Sequence, residues 1–158
     1  MTNILDEIIE NKKAELEILK KKMPLAFLEK QVAELPLKEP SFLAALEAKK
    51  NFAIIAEIKK KSPSRGVLCQ DFDPLRIAHA YEISGAAALS ILTDEKFFGG
   101  SVQILSEVHR EIRLPILRKD FIIDRYQILE ARLLGADAIL LIAGILKPDQ
   151  LLSLSREA

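Results

Sequence analysis

The sequence contains almost no cysteine and has no excess of either charge. Cys69 is the single cysteine in 158 residues, which excludes an internal disulfide and a zinc site built from cysteines. Lysine plus arginine and aspartate plus glutamate both total 23, so no overall charge favours nucleic acid or an anionic membrane. Any preference for an anion must therefore be local.

Long apolar runs are also missing. The longest run, Ala138–Leu146, is interrupted by Gly144 and is too short to span a bilayer. The N-terminal 22 residues mix acidic and basic side chains among apolar ones, which is not the pattern of a signal peptide. We therefore expect a cytoplasmic protein with one folded core, without a nucleic-acid or membrane partner.

The first fifty residues predict helices and no strand. Residues 3–22 repeat apolar side chains at helical spacing, with acids early and lysines late, as the helix dipole favours. Leu25–Leu35 predicts a second, short helix, and Ser41 is a suitable N-cap for a third, Phe42–Lys49. We expect residues 1–50 to form an N-terminal helical extension.

Residues 51–158 alternate between strand and helix patterns. The predicted strands are short apolar runs: Phe52–Ile58, Ala86–Leu92, Leu114–Leu117 and Ala138–Ile142. A predicted helix follows each strand, over residues 74–84, 101–110, 125–134 and 148–156. The first strand has the pattern of one buried on both faces. Four such units predict parallel strands joined by right-handed crossovers.

Two α/β architectures contain units of this kind, a doubly wound open sheet and a (β/α)8 barrel. A dinucleotide-binding open sheet carries a glycine-rich turn after its first strand. Here that turn reads KKKSPSRG, with a single late glycine. The barrel is therefore favoured, and because a complete barrel needs about 250 residues, residues 51–158 correspond to the first half of one.

Active sites in parallel α/β folds lie at the C-terminal ends of the strands, which directs attention to Glu57 and Lys59. Glu57 interrupts an apolar strand, where a carboxylate is costly unless it is paired. Lys59 lies two residues further and so points to the same face. A substrate site at the barrel mouth and a structural ion pair inside the barrel fit this pattern about equally well.

Lys119, after the third predicted strand, raises a similar question. A lysine among apolar neighbours and other cations releases its proton more readily, which suits a general acid. A surface lysine just past a strand is the commoner situation. Two lysines converging from the first and third strands favour an anion-binding site.

The other polar residues give weaker signals. Ser62 lies in a predicted turn, where a hydroxyl often serves only the local backbone. Phe97 and Phe98 are candidates for an exposed loop. His79 and His109 fall within predicted helices, and no spacing of histidines and acids suggests a metal site.

Four segments carry a family resemblance: ILDEIIENKKAEL, IIAEIKKKSPSRG, ALSILTDEKFFGGS and PILRKDFIIDRYQILEARLLGADAILLI. Together they resemble indole-3-glycerol phosphate synthase over essentially the whole chain. The resemblance implies a (β/α)8 barrel whose N-terminal helices cover its mouth. It also implies a reaction of tryptophan biosynthesis, in which 1-(2-carboxyphenylamino)-1-deoxyribulose 5-phosphate loses carbon dioxide and water to give indole-3-glycerol phosphate, without a metal or organic cofactor.

The resemblance assigns roles to residues at matching positions. Lys119 would be the general acid in ring closure, and Lys59, a second catalytic residue, would hold the carboxylate of the substrate's anthranilate moiety and take part in proton transfer. Glu57 would pair with both lysines and assist proton movement during dehydration. The substrate-binding residues would be Ser62 on the carboxylate and, as walls around the aromatic ring, Phe98, Phe121 and Leu140.

One part of the family pattern has no counterpart up to Ala158. A further catalytic glutamate and the main phosphate-binding loops of the family lie on later strands. We therefore expect the 158-residue chain to be inactive alone, with open strand edges that favour self-association. A non-catalytic half barrel that self-associates is the alternative. Phosphoribosylanthranilate isomerase is disfavoured, because its chemistry would need a cysteine–aspartate pair at the strand ends, and Cys69 lies past the loop glycine.

Overall fold

The computed structural model describes residues 3–36 and 41–158. Residues 1, 2 and 37–40 of the predicted N-terminal extension lie outside the described residues. Three helices come first and no strand occurs among the described residues before position 50, as the sequence predicts. They are α1 (Ile4–Lys22), α2 (Leu25–Ala33) and α3 (Phe42–Glu47).

Strands and helices then alternate through the rest of the chain. The strands are β1 (Ile55–Ile58), β2 (Lys61–Ser62), β3 (Gly66–Val67), β4 (Ala88–Leu92), β5 (Ile116–Lys119) and β6 (Ala138–Ile139). The helices are α4 (Pro74–Ile83), α5 (Glu95–Phe98), α6 (Val102–Glu111), α7 (Arg125–Leu133) and α8 (Pro148–Glu157), with a 3-10 turn at Ala143–Ile145. The hairpin β2–β3 and the short helix α5 are additions to the elements predicted from sequence.

The main sheet has the strand order β1-β4-β5-β6, and all its neighbouring strands are parallel. A doubly wound sheet reverses direction at a switch point, whereas this order simply follows the chain. The arrangement is that of the first four units of a (β/α)8 barrel, which confirms the predicted fold class.

The alternation of side chains gives the sheet two different faces. The outer face carries Ala56, Ile58, Leu89, Ile91 and Ile116, which form one apolar cluster with α4, α6 and α7. The residues between them point to the opposite, inner face, because successive side chains of a strand alternate. Polar strand residues on the inner face therefore cannot enter this apolar cluster.

The first strand differs from its prediction. It begins at Ile55 rather than Phe52, and Phe52, Ile54 and Ile55 are 76%, 54% and 44% exposed, so the expectation of burial on both faces was wrong. The reason is that β1 is an edge strand of the described sheet. The third strand is also displaced: Arg118 and Lys119 lie inside β5, and the fourth ends at Ile139 rather than Ile142.

The predicted helix starts are confirmed by their caps. The side chains of Ser41, Asp73, Ser101 and Asp124 each accept a hydrogen bond from a backbone N–H in the first turn of the helix that follows. Asp124 and Gln127 form a capping box at α7. These local signals are readable because they involve residues three or fewer positions apart.

A buried group of charges joins α1 to the C-terminal ends of β4 and β5. Lys12 of α1 lies 3.1 Å from Oδ1 of Asp120 and 3.3 Å from Oδ2 of Asp94, and all three side chains are at most 6% exposed. Oδ2 of Asp94 has no hydrogen-bond partner among the described residues, so its contact with Lys12 is an ion pair without hydrogen-bond geometry. Removing one member of a buried ion pair typically costs about 3–5 kcal/mol.

Arg118 extends this group to α7. Its guanidinium donates to Asp120 (3.2 Å), to Thr93 (3.1 Å) and to Glu130 (2.8 Å), while the Thr93 hydroxyl donates to Asp120 (2.6 Å). Burial raises the pKa of Asp120, but Arg118, Lys12 and these hydrogen bonds outweigh burial and hold the pKa below 3.8. Burial likewise opposes the charge on Lys12, and the neighbouring carboxylates, Asp120 foremost, still raise its pKa above 10.5.

These shifts predict a pH dependence of stability. Because the pKa of Asp120 is lower in the folded chain, its contribution is complete above about pH 4 and is lost as pH falls through the folded value. Asp120→Asn should therefore reduce the acid slope of the unfolding free energy by up to about 1.4 kcal/mol per pH unit. Urea unfolding between pH 2 and pH 6 measures it, and equal slopes in both proteins would contradict the assignment.

A second prediction concerns Gly100, which is buried directly behind β4. A Cβ at this position would lie 2.0 Å from the carbonyl oxygen of Leu92, a backbone atom that cannot move aside. Gly100→Ala should lower the free energy of unfolding by roughly 3 kcal/mol, the upper end of the usual cost of overpacking. Gly144→Ala is the control, since a Cβ there meets nothing within 4 Å. Similar urea midpoints for the two variants would show that the contact is unimportant.

Candidate active site

The inner face of the sheet brings Glu57, Lys59 and Lys119 together. Glu57 lies in β1 and Lys119 at the end of β5, two strands away, with β4 between them. Lys119 Nζ is 3.6 Å from Oε2 of Glu57, and Lys59 Nζ donates a hydrogen bond to Oε1 of the same carboxylate. Both oxygens of Glu57 thus face an ammonium group. The prediction that lysines from the first and third predicted strands converge is confirmed.

Strand register explains how side chains two strands apart can meet. Glu57 is level with Ser90 of β4, and Leu92, two residues further along β4, is level with Lys119. Ser90 is the β4 residue next to Glu57, and its small side chain leaves space between Glu57 and Lys119 on the inner face. The long lysine side chain then reaches back across β4 to the carboxylate.

The three charged groups are partly open to solvent. Their side chains are 33% (Glu57), 31% (Lys59) and 37% (Lys119) exposed. A fully buried ion pair would be a structural element closed to ligands, whereas these groups are accessible to a molecule at the sheet's C-terminal end. Two cations against one anion also leave a local positive charge, although the chain is neutral overall.

Two aromatic rings follow the C-terminal ends of β4 and β5. Phe98 of α5 and Phe121, which follows β5, have ring centroids 6.0 Å apart at an angle of 41°, the tilted arrangement that aromatic pairs favour. Phe121 is buried, while Phe98 is half-buried. The expectation that Phe97 and Phe98 lie in an exposed loop was wrong, because Asp94 caps them into the helix α5.

Ser62 and Leu140 occupy more peripheral positions. Ser62 pairs with Gly66 in the hairpin that follows β1, so the predicted turn at Pro63 is present. No hydrogen bond or ion pair in residues 3–36 and 41–158 joins Ser62 to the three charged groups. Leu140 follows β6 immediately and is half-buried. Both residues lie just past the C-terminal end of a main-sheet strand, on the two edges of the sheet.

The hairpin β2–β3 also contacts the helix α5. Lys61 Nζ donates to the carbonyl oxygen of Lys96 at 2.9 Å, and a Cβ at Gly99 would lie 3.2 Å from the Lys61 side chain. Gly99 itself has a left-handed backbone (φ 63°), the conformation that ends α5. Lys61 therefore points towards α5. In a continuous extended strand it would instead share a face with Lys59.

The charged residues that sequence reasoning missed are Lys12, Asp94 and Asp120. Asp94 and Asp120 were visible only as polar residues after strands, without any sign of their burial. Lys12 had a signal: with Ile8 and Leu16 it forms the line of three buried residues of α1, spaced four apart. A lysine on an apolar helix stripe indicates a buried partner.

Two absences also hold for the described part of the chain. No group of three or more histidines, cysteines, aspartates or glutamates in residues 3–36 and 41–158 is placed to hold a metal ion. In the same residues, no helix has both the length and the apolar character that crossing a membrane requires. The accessible chemistry of the site is that of two lysines, a carboxylate and two aromatic rings.

Comparison with known proteins gives a consistent result along the chain. A model of the family "Indole-3-glycerol phosphate synthase" matches residues 5–158. A curated relative of that name from Chlorobium chlorochromatii (strain CaD3) is 53% identical over 149 residues, covering 93% of this chain and 58% of the relative. A second relative of that name, from Prochlorococcus marinus (strain MIT 9301), is 49% identical over 156 residues, which cover 99% of this chain and 53% of the relative.

A third relative, from Desulforamulus reducens, is 48% identical over 148 residues, with 94% of this chain and 56% of the relative covered. The chain therefore spans about half the length of the curated relatives it matches. The family match, the level of identity and the four sequential βα units agree with one another, and the chain belongs to the indole-3-glycerol phosphate synthase family.

Proposed function

We propose that this chain supplies one wall of the active site of an indole-3-glycerol phosphate synthase. The observation that carries the proposal is the contact of Lys59 and Lys119 with the two oxygens of Glu57 at the open end of the sheet. The substrate, 1-(2-carboxyphenylamino)-1-deoxyribulose 5-phosphate, carries a carboxylate and a phosphate. A site with a local excess of positive charge attracts such an anion.

The proposed reaction begins with carbon–carbon bond formation. The aromatic carbon that bears the carboxylate attacks the substrate's ketone carbon, and Lys119 donates a proton to the ketone oxygen as it becomes a hydroxyl. Lys59 holds the carboxylate until the bond to carbon dioxide breaks, and the electrons of that bond restore the aromatic ring. The new hydroxyl then leaves as water while the adjacent methylene carbon loses a proton, a proton movement that Glu57 assists, and the resulting carbon–carbon double bond completes the indole. No step requires a metal or an organic cofactor.

The aromatic part of the substrate needs an apolar wall next to these charges. Phe98 and Phe121 are suited to that role, since their rings pack together after the C-terminal ends of β4 and β5. We assign Leu140 to the same wall and Ser62 to a hydrogen bond with the substrate carboxylate. Both assignments rest on the match to the family motifs and on positions at the strand ends.

The proposal applies to the chain completed by the second half of the family barrel. In that assembly residues 1–50 form the helical extension, residues 51–158 form the first half barrel, and the later strands supply the phosphate-binding loops and a further glutamate. We propose a cytoplasmic location for the complete enzyme. The 158-residue chain alone should not turn over the substrate, because the phosphate would lack its main contacts.

The Lys119 assignment is tested by joining the chain to the C-terminal half of the Chlorobium chlorochromatii relative and measuring indole-3-glycerol phosphate formation. Lys119→Ala should lower kcat roughly 100-fold or more, as loss of a general acid typically does. Lys60→Ala is the matched control, because Lys60 lies beside the site but is exposed. An unchanged kcat for Lys119→Ala would refute the assignment, and turnover by the unjoined chain would refute its predicted inactivity.

Self-association is the alternative for the chain by itself, and the exposed edge of the sheet favours it. Phe52, Ile54 and Ile55 form an exposed apolar strip at β1. At the other edge, a cavity of about 430 Å³ is lined by residues that include Ala138, Ile139 and Leu141. Apolar edge strands with unpaired backbone groups pair readily with another chain. A second copy would cover the edges that the missing barrel half otherwise covers.

Light scattering coupled to gel filtration tests this alternative. The chain should form a concentration-dependent dimer, and Ile55→Lys should shift it towards the monomer because a charge on an edge strand opposes pairing. Ile18→Lys is the control, since Ile18 is similarly exposed but lies on α1. A parent chain that stays monomeric up to about 100 µM, well above typical specific dimer affinities, would exclude edge pairing.

A further inference from the structure

Lys12 is a buried cation that pairs with Glu15 on its own helix and with two aspartates that are close neighbours, in sequence, of the proposed site residues. Asp120 stands between Lys119 and Phe121 in the chain, and Asp94 caps the helix that carries Phe98. One ammonium group on α1 thus contacts the ends of both β4 and β5. The nature of these contacts gives Lys12 a role beyond attaching a helix.

Asp120 holds the stretch of backbone that follows the Cα of Lys119. Its Oδ1 accepts a hydrogen bond from the N–H of Phe121 at 2.8 Å, while its Oδ2 is held by Thr93 and Arg118. The N–H of Thr93 in turn donates to the carbonyl oxygen of Lys119 at 3.1 Å. A shift of the Asp120 carboxylate would therefore move the peptide groups that set the direction of the Lys119 side chain.

Asp94 controls the second segment in a similar way. Its Oδ1 accepts from the N–H groups of Phe97 (2.8 Å) and Phe98 (3.3 Å), leaving Oδ2 to face Lys12. The Phe98 ring then contacts Phe121, the residue whose N–H Asp120 holds. The hydrogen bonds of Asp94 and Asp120 thus fix the backbone that carries Phe98, Phe121 and Lys119.

Without the Lys12 charge, the buried Asp94 would lose the cation that faces its Oδ2, and Asp120 would keep only the Arg118 side of its ion pairing. Like charges in a buried site repel, so one carboxylate would take up a proton or move towards water. Either change alters hydrogen bonds that fix Phe98, Lys119 or Phe121. Displacement of a catalytic group by about 1 Å can cost about 100-fold in rate.

We propose that Lys12 is a positioning residue of the active site, which holds the ends of β4 and β5 in the geometry that the reaction requires. It acts through Asp94 and Asp120 and does not touch the reacting atoms. The proposal rests on the proposed function, and it makes α1 part of the catalytic arrangement as well as a cover for it.

The kinetic test uses the chain joined to the C-terminal barrel half and compares kcat with KM. Lys12→Met should lower kcat by roughly 10- to 100-fold, with KM changed less than about threefold, because substrate contacts remain while their alignment is lost. Lys13→Met should match the parent, since Lys13 is exposed and pairs with the exposed Glu10. A parent-like kcat for Lys12→Met would overturn the proposal.

A purely structural role is separated by a variant that weakens the docking of α1 without touching the carboxylates. Leu16 is buried on the same face of α1 and packs against Leu28 and Tyr126. Leu16→Ala should lower the melting temperature but leave kcat within about twofold of the parent below that temperature. An equal loss of kcat in Leu16→Ala and Lys12→Met would mean that Lys12 only stabilises the fold, which overturns the proposal.

A structural measurement on the 158-residue chain needs no activity. With labelled phenylalanine, nuclear Overhauser contacts between the rings of Phe98 and Phe121 should be present in the parent and lost or weakened in Lys12→Met. If Lys12→Met does not fold, Lys12→Gln, which retains a hydrogen-bond donor, replaces it in both experiments with the same expected directions. Unchanged ring contacts and kcat in a folded variant would overturn the proposal.

Failure of the positioning role and failure of the proposed function give different results. If Lys119→Ala keeps full activity, the proposed function of the site is wrong whatever Lys12 does. If Lys119→Ala is inactive while Lys12→Met keeps both its ring contacts and its kcat, only the positioning role is wrong.

Discussion

The arrangement of the candidate site depends on a buried charge cluster in which Lys12 and Arg118 form ion pairs with Asp94, Asp120 and Glu130. These groups come from α1, from the ends of two strands and from α7. Apolar contacts alone could hold α1 against the sheet in several rotations, because they have no direction. Charged hydrogen bonds have both distance and angle requirements, so they select one register of the helix on the strand ends.

Such a cluster is costly to desolvate, and an apolar cluster of the same shape would often be at least as stable. Its presence at the ends of β4 and β5 therefore has a better explanation in geometry than in stability. Asp120 faces the helix side, where its pKa is held low and its charge is kept, while Lys119 next to it faces the inner side. Because neighbouring side chains point to opposite faces, the firmly held Asp120 can orient Lys119 without occupying the inner face itself.

Much of the fold could be predicted from sequence because its signals are local. The capping residues Ser101 and Asp124 and the alternation of apolar runs with helical spacing need only a few neighbouring positions. The burial of β1 was mispredicted because an apolar strand has the same sequence at the centre or at an edge of a sheet. The length of β6 and the hairpin β2–β3 likewise depend on pairing partners that a local pattern does not identify.

The candidate site was predictable in part for the same reason. Glu57 and Lys59 are two residues apart, so their common face follows from strand geometry, whereas the choice between a structural ion pair and an accessible site needed the exposure of both side chains. Lys12 is 82 and 108 positions away from its two aspartates, and no periodicity links them. Only its place between Ile8 and Leu16 indicated burial.

The two groups of charges at this end of the sheet differ in what they leave unbalanced. In the buried cluster the carboxylates of Asp94, Asp120 and Glu130 outnumber the two cations, Lys12 and Arg118. In the open group the cations exceed the single carboxylate of Glu57, so the uncompensated positive charge faces solvent. Because an exposed charge can exchange water for a ligand more readily than a buried one, we expect an anion to bind at the inner face of the sheet and not in the buried cluster. A chain that is neutral overall can therefore still offer a local anion site. The excess of negative charge is buried around Lys12 and Arg118, and the excess of positive charge is exposed around Glu57.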